Sequence, residues 1–63
     1  MIKIKKGMYL KYTRSPDDVV VQVKRIISAS ADEVVFLGLW VSGGIEQEFI
    51  INKLNESSWK ESI

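Results

Sequence analysis

Hydrophobic and polar positions alternate with a period of two through most of this chain, in short runs broken by glycine, proline, serine and asparagine, which is the pattern of half-buried β-strands. The most informative stretch runs from Glu33 to Asn52. Two runs rich in Val, Ile, Leu and aromatics flank Ser42-Gly43-Gly44 there, the sequence form of a tight β-hairpin. A three-residue loop with Gly44 in the left-handed conformation places Val41 opposite Ile45, Leu39 opposite Gln47, Leu37 opposite Phe49 and Val35 opposite Ile51. That face is apolar apart from Gln47 and is predicted to be core. Val34, Phe36, Gly38 and Trp40, with Ile50, Glu48 and Glu46, are predicted to face outward. A two-residue Gly43-Gly44 loop would oppose Leu39 to Glu48, and the choice matters because a slip of one residue exchanges the two faces.

Upstream, Ile2-Lys3-Ile4-Lys5 alternates, Gly7 interrupts, and Met8-Tyr9-Leu10-Lys11-Tyr12 alternates again, as a strand bent at the glycine would. Ile4, Met8, Leu10 and Tyr12 are predicted to point inward, and Lys3, Lys5, Tyr9 and Lys11 outward. Thr13 to Asp18 reads as a polar turn around Pro16. Val19 to Ile27 reads as a second strand with Val21 and Val23 inward and Gln22 and Lys24 outward. Ile26 breaks that parity, and a bulge near Lys24-Arg25 would restore it while bending the strand. Downstream, Asn52 to Ser58 holds turn formers and room for a single helical turn, and Ser58 to Ile63 reads as a short last strand with Trp59 and Ile63 on one side. A C-terminal amphipathic helix is the rival, but Leu54, Trp59 and Ile63 do not share a narrow helical face.

Five short strands, a long glycine-interrupted first segment and a short turn before the last strand resemble the SH3-like small barrels, over the whole of residues 1–63 as one domain. Ile4-Lys5-Lys6-Gly7-Met8-Tyr9-Leu10 looks like the Ile-x-x-Gly-x-x-Leu/Val opening of many SH3-like and Tudor- or KOW-like domains. The resemblance implies an all-β, five-stranded SH3-like barrel and a non-catalytic binding module. Signalling SH3 domains carry an Ala-Leu-Tyr-Asp-Tyr-like stretch where this chain has Tyr9-Leu10-Lys11-Tyr12, which speaks against a proline-binding groove. Tyr9 and Tyr12 point opposite ways, which speaks against an aromatic cage.

Composition narrows the chemistry. With 63 residues, the chain buries only about 60% of the surface its unfolded form exposes, so its stability margin is thin. Neither cysteine nor histidine is present to supply a disulfide or a Cys/His zinc site, which leaves dimerisation as the usual remedy. No apolar run approaches the length of a membrane span and no signal-peptide pattern opens the chain, so a cytoplasmic protein without membrane contact is expected. Catalysis would have to rest on carboxylates, serines, lysines or tyrosines. The carboxylate pairs Asp17-Asp18 and Asp32-Glu33 are sequence neighbours at turns, and Glu46 and Glu48 share a solvated strand face without the further oxygen ligands Ca²⁺ needs. Gly43-Gly44 lacks the following Lys-Ser/Thr and helix of a phosphate loop. No enzyme activity, cofactor, metal or small-molecule substrate is expected.

Two binding surfaces remain. Val34, Phe36, Trp40 and Ile50 beside Glu46 and Glu48 would form an apolar outer face on the hairpin, suited to a protein partner or to a second copy of the chain in a homodimer. The alternative follows from charge. Net charge is only +1, yet residues 1–31 carry seven Lys/Arg against two Asp/Glu, and residues 32–63 carry two against six. Lys3, Lys5, Tyr9, Lys11 and Lys24, with Gln22, would then form a basic face that contacts nucleic acid, the lysines on phosphates and Tyr9 stacked on a base.

Overall fold

A computed structural model describes residues 3–15 and 19–62. The predicted turn at Pro16-Asp17-Asp18 and the placements of Ile2 and Ile63 lie outside the described residues. The chain is all-β: β1 (Tyr9–Tyr12), β2 (Val19–Ala29), β3 (Glu33–Trp40), β4 (Glu46–Asn52) and β5 (Trp59–Ser62), with a single 3₁₀ turn, Glu56–Ser58, before β5. All pairings are antiparallel in one sheet of order β4-β3-β2-β1-β5, so the last strand returns to lie beside the first.

The predicted first strand is shortened, since residues 3–8 form no strand and β1 begins at Tyr9, but the inward positions of this segment and the faces of β1 and β2 follow the alternation. Leu10, Val21 and Val23 are fully enclosed, and Ile4, Met8 and Tyr12 pack against them. The ladder between β2 and β3 shifts register between Val23 and Arg25, which places a bulge at Lys24 and turns Ile26 back onto the core. A second shift lies between Ile26 and Ser28. Two irregularities in one long strand sharpen its twist and bend it.

The hairpin differs from its predicted register. Trp40 N–H donates to Ile45 O at 2.8 Å, so the loop holds four residues, Val41 to Gly44, and Val41 donates instead to Val20 O at 3.0 Å. Gly44 does take the left-handed conformation, with φ 69°. The additional loop residue moves β3 by one position against β4: Phe36 lies opposite Phe49, Leu37 opposite Glu48 and Leu39 opposite Glu46. The predicted inward face of β4 holds toward its end, with Ile51 buried, Phe49 half-buried and Glu46, Glu48 and Ile50 exposed, but Ile45 and Gln47, predicted to be core, are exposed. The predicted face of β3 is inverted. Val34 and Phe36 belong to the buried core, Trp40 packs against it, and Val35, Leu37 and Leu39 lie half-buried on the other side.

Gly38 explains the choice. It faces the core between two phenyl rings, and a Cβ built there would sit 2.8 Å from Phe49 Cδ2 and 3.1 Å from Phe36 Cε2. Only a residue without a side chain lets Phe36 and Phe49 stack, which they do at 5.5 Å between centroids and 21° between planes. In the predicted register this glycine would have left a notch on the surface.

The C-terminal part is held by side chains. The Asn55 amide accepts from Asn52 N–H at 2.9 Å and donates to Ile50 O at 2.9 Å, and Asn52 Oδ1 accepts from Leu54 and Asn55 N–H. Each such bond contributes about 0.5–1.5 kcal/mol. Buried Ser58 accepts on its carbonyl from the backbone and hydroxyl of Thr13 and on Oγ from Arg14 Nε at 2.6 Å, which ties the 3₁₀ turn to the end of β1.

Candidate aromatic binding site

Four of the six aromatic side chains in the chain converge at one place. Alternation brings Tyr12 to the inner face at the end of β1, and the pairing of Tyr12 with Trp59 sets the first residue of β5 beside it. Their ring centroids are 5.1 Å apart. Trp59 meets Phe49 of β4 edge-on at 5.6 Å and 80°, and Phe49 meets Trp40 of β3 at 6.1 Å and 45°. The Phe49–Trp59 contact joins the two strands at opposite ends of the sheet order, so the sheet is curled enough for a ring from each edge strand to meet the other.

Between them lies an open cavity of about 270 Å³ lined by Tyr12, Ser15, Val19, Trp40, Phe49 and Trp59. Its volume lies just below the range of about 300–1,000 Å³ for sites that take drug-sized molecules. The Trp40 indole N–H is satisfied by Gln47 Oε1 at 3.1 Å, which fixes the ring as one wall and explains the polar residue on the inner face of β4. No buried side-chain nitrogen or oxygen among the described residues lacks a partner.

The predicted outer face of the hairpin is not one surface. Val34 and Phe36 are core, Trp40 lines the cavity, and Glu46, Glu48 and Ile50 lie on the opposite face of the sheet. Tyr9 and Tyr12 do point opposite ways, but Tyr12 gathers with Trp40, Phe49 and Trp59, a convergence that the sequence reading did not include. The sequence carried one signal for this: Tyr12, Trp40 and Trp59 each sit at a strand end.

The predicted basic face is assembled in part. Tyr9 and Lys11 alternate away from the enclosed Leu10, with Lys3, Lys5, Lys24 and Tyr9 exposed and Lys11 half-buried. Pairing of β1 with β5 sets Lys60 opposite Lys11, a fifth lysine for this face that sequence reasoning did not include. The candidate carboxylates are dispersed. Asp32 is paired with Lys53 at 3.0 Å in the open, and Asp17-Asp18 lie outside the described residues. Among the described residues no group of three or more potential metal ligands gathers, and no helix is long and apolar enough to cross a membrane. No protein-family model matches this chain, and no curated protein or solved structure is significantly similar to it.

Proposed function

We propose that this chain is an SH3-like small barrel and a non-enzymatic interaction module of the cytoplasm, which captures a protein partner by seating one of its apolar or aromatic side chains in the cavity between β4 and β5. The convergence of Tyr12, Trp40, Phe49 and Trp59 on one open, apolar space carries the reading. Aromatics around a water-excluding pocket are the usual anchors of protein interfaces. Support for the barrel comes from the strand order, the 3₁₀ turn ahead of β5, the bends in β2 and the aromatic contact that links the two edge strands. Support for a binding rather than a catalytic role comes from the cavity walls, whose polar side chains are two hydroxyls and two indoles, the Trp40 indole bonded to Gln47, with no carboxylate or amine among them.

Selection of a displayed random-peptide library on the protein should enrich sequences that share a large apolar residue. Trp40→Ala should weaken the enriched peptides by about tenfold or more, the scale of an interface anchor, while circular dichroism stays that of the parent. Enriched peptides that bind the variant equally well would exclude the cavity as the site.

A second reading is favoured by the placement of Lys60 opposite Lys11, which enlarges the basic face around Tyr9. In it, that face binds single-stranded nucleic acid. Binding should then fall steeply with salt and with the triple change Lys3→Glu, Lys5→Glu, Lys24→Glu. No binding by the folded protein at low salt would end this reading.

A further inference from the structure

We propose that the free edge of β4 accepts an extended segment of a partner protein in which lysine or arginine alternates with apolar residues, so that partner capture proceeds by adding a strand to the sheet. The inference rests on the cavity reading above and supplies the partner's chemistry.

Backbone geometry comes first. β4 is at the end of the sheet order. Because Trp40 N–H bonds Ile45 O, the alternation of an antiparallel ladder turns the amides and carbonyls of Gln47, Phe49 and Ile51 toward β3 and those of Glu46, Glu48, Ile50 and Asn52 outward. The Asn55 side chain confirms this parity by bonding Ile50 O and Asn52 N–H. Asn55 thus occupies one end of the edge. Among the described residues nothing bonds the outward backbone groups of Glu46 and Glu48, which form a short template for another strand.

Side chains then select the occupant. Residues of an added strand that pair with Glu46 and Glu48 share the outer face with those two exposed carboxylates, neither of which meets a cation among the described residues. Opposite charges across a ladder stabilise it and like charges oppose it. Residues in between lie on the inner face beside Gln47, which holds the Trp40 indole, and beside Phe49, which lines the aromatic cavity. Basic residues outside and apolar residues inside are therefore favoured.

The same rule disfavours a second copy of β4. Antiparallel pairings that centre on the free groups set Glu46 against Glu46, Glu46 against Glu48 or Glu48 against Glu48. The next register sets Glu48 against Ile50 and requires the Ile50 carbonyl that Asn55 already holds. A foreign basic strand meets neither obstacle.

The test uses the full chain labelled with ¹⁵N and a short synthetic peptide of alternating lysine and valine, with an alternating glutamate and valine peptide as comparator. The basic peptide should shift the Glu46 and Glu48 amides and slow their hydrogen exchange, and the acidic one should not. Charge reversal by Glu46→Lys with Glu48→Lys should weaken the basic peptide by about tenfold and favour the acidic one. Unchanged Glu46 and Glu48 amides at saturating peptide overturn the inference, and a shift of the Trp40 indole alone does so while leaving the cavity reading in place. Protected edge amides with a silent indole support strand addition and count against the cavity. Concentration-dependent protection of these amides without peptide would assign the edge to a second copy and overturn the inference.

Discussion

Phe36→Ala should lower the stability of this fold by about 3–5 kcal/mol, the range for removing a fully packed aromatic ring. The side chain is 0% exposed, lies in the inward row of β3 with Val34 and Gly38, and stacks on Phe49. Its loss would open a void beneath the sheet and unsupport the wall of the cavity. Native stabilities near 0.05–0.15 kcal/mol per residue imply a total of about 3–9 kcal/mol for a chain of this length, so the variant should lose from about a third of that margin to all of it. Leu37→Ala, one position along, is the control. Leu37 is half-buried on the other face opposite Glu48, and its truncation should cost much less. Urea midpoints of the two variants would decide the register independently of any structure. A Leu37 variant as unstable as the Phe36 one would return the hairpin to a three-residue loop.

The same pair of residues shows how far the sequence could be read. In β1 with the segment before it, and in β2, one parity is apolar and the other charged or polar: Ile4, Met8 and Leu10 against Lys3, Lys5 and Lys11, Val21 and Val23 against Gln22 and Lys24. Burial then leaves one choice, and even the bulge at Lys24 could be inferred from the displaced Ile26. In β4, Glu46 and Glu48 mark the outer face equally well. β3 carries no such mark. Val34, Phe36 and Trp40 are as apolar as Val35, Leu37 and Leu39, so alternation cannot orient the strand and the loop length has to. Ser42-Gly43-Gly44 suggested three residues, whereas Val41 leaves the ladder to bond Val20 and makes the loop four. A steric cue was nonetheless present. A glycine in an otherwise bulky strand is better explained by two large residues meeting over it than by a surface notch.

The aromatic site was less legible than the fold, for a different reason. Tyr12, Trp40, Phe49 and Trp59 come from four strands, and none neighbours another in sequence. Two facts bring them together: β5 pairs with β1 and sets Trp59 beside Tyr12, and the sheet curls until β4 approaches β5. The first depends on a strand of four residues and the second on irregularities in β2. Hydrophobic periodicity can place each ring on the inner face, but it carries no information about curvature. The hairpin patch of Val34, Phe36, Trp40 and Ile50 failed as a surface because its members were grouped by an inverted strand.

Gly38→Ala should couple fold and site in one measurement. The new Cβ would lie 2.8 and 2.9 Å from two atoms of the Phe49 ring and 3.1 Å from Phe36. Such contacts require movement. Phe36 is enclosed on all sides and cannot yield, whereas Phe49 is half-buried and borders the open cavity, so its ring should be displaced into that space and toward Trp40 and Trp59. Overpacking of this kind typically costs about 1–3 kcal/mol. The displaced ring would also fill the volume in which a partner's side chain is to sit, so a peptide that depends on Trp40 should no longer bind, even under conditions where the variant remains folded. Replacing the ring in the same chain separates the two effects. Phe49→Leu alone should destabilise by removing the stack, but combined with Gly38→Ala it should recover part of the loss, because a smaller side chain leaves room for the methyl. The resulting interaction energy in a double-mutant cycle should be favourable and at least about 0.5 kcal/mol. Strict additivity of the two changes in urea unfolding, with peptide binding retained by Gly38→Ala, would show that the glycine is not what permits the Phe36–Phe49 stack and that the cavity wall is set elsewhere.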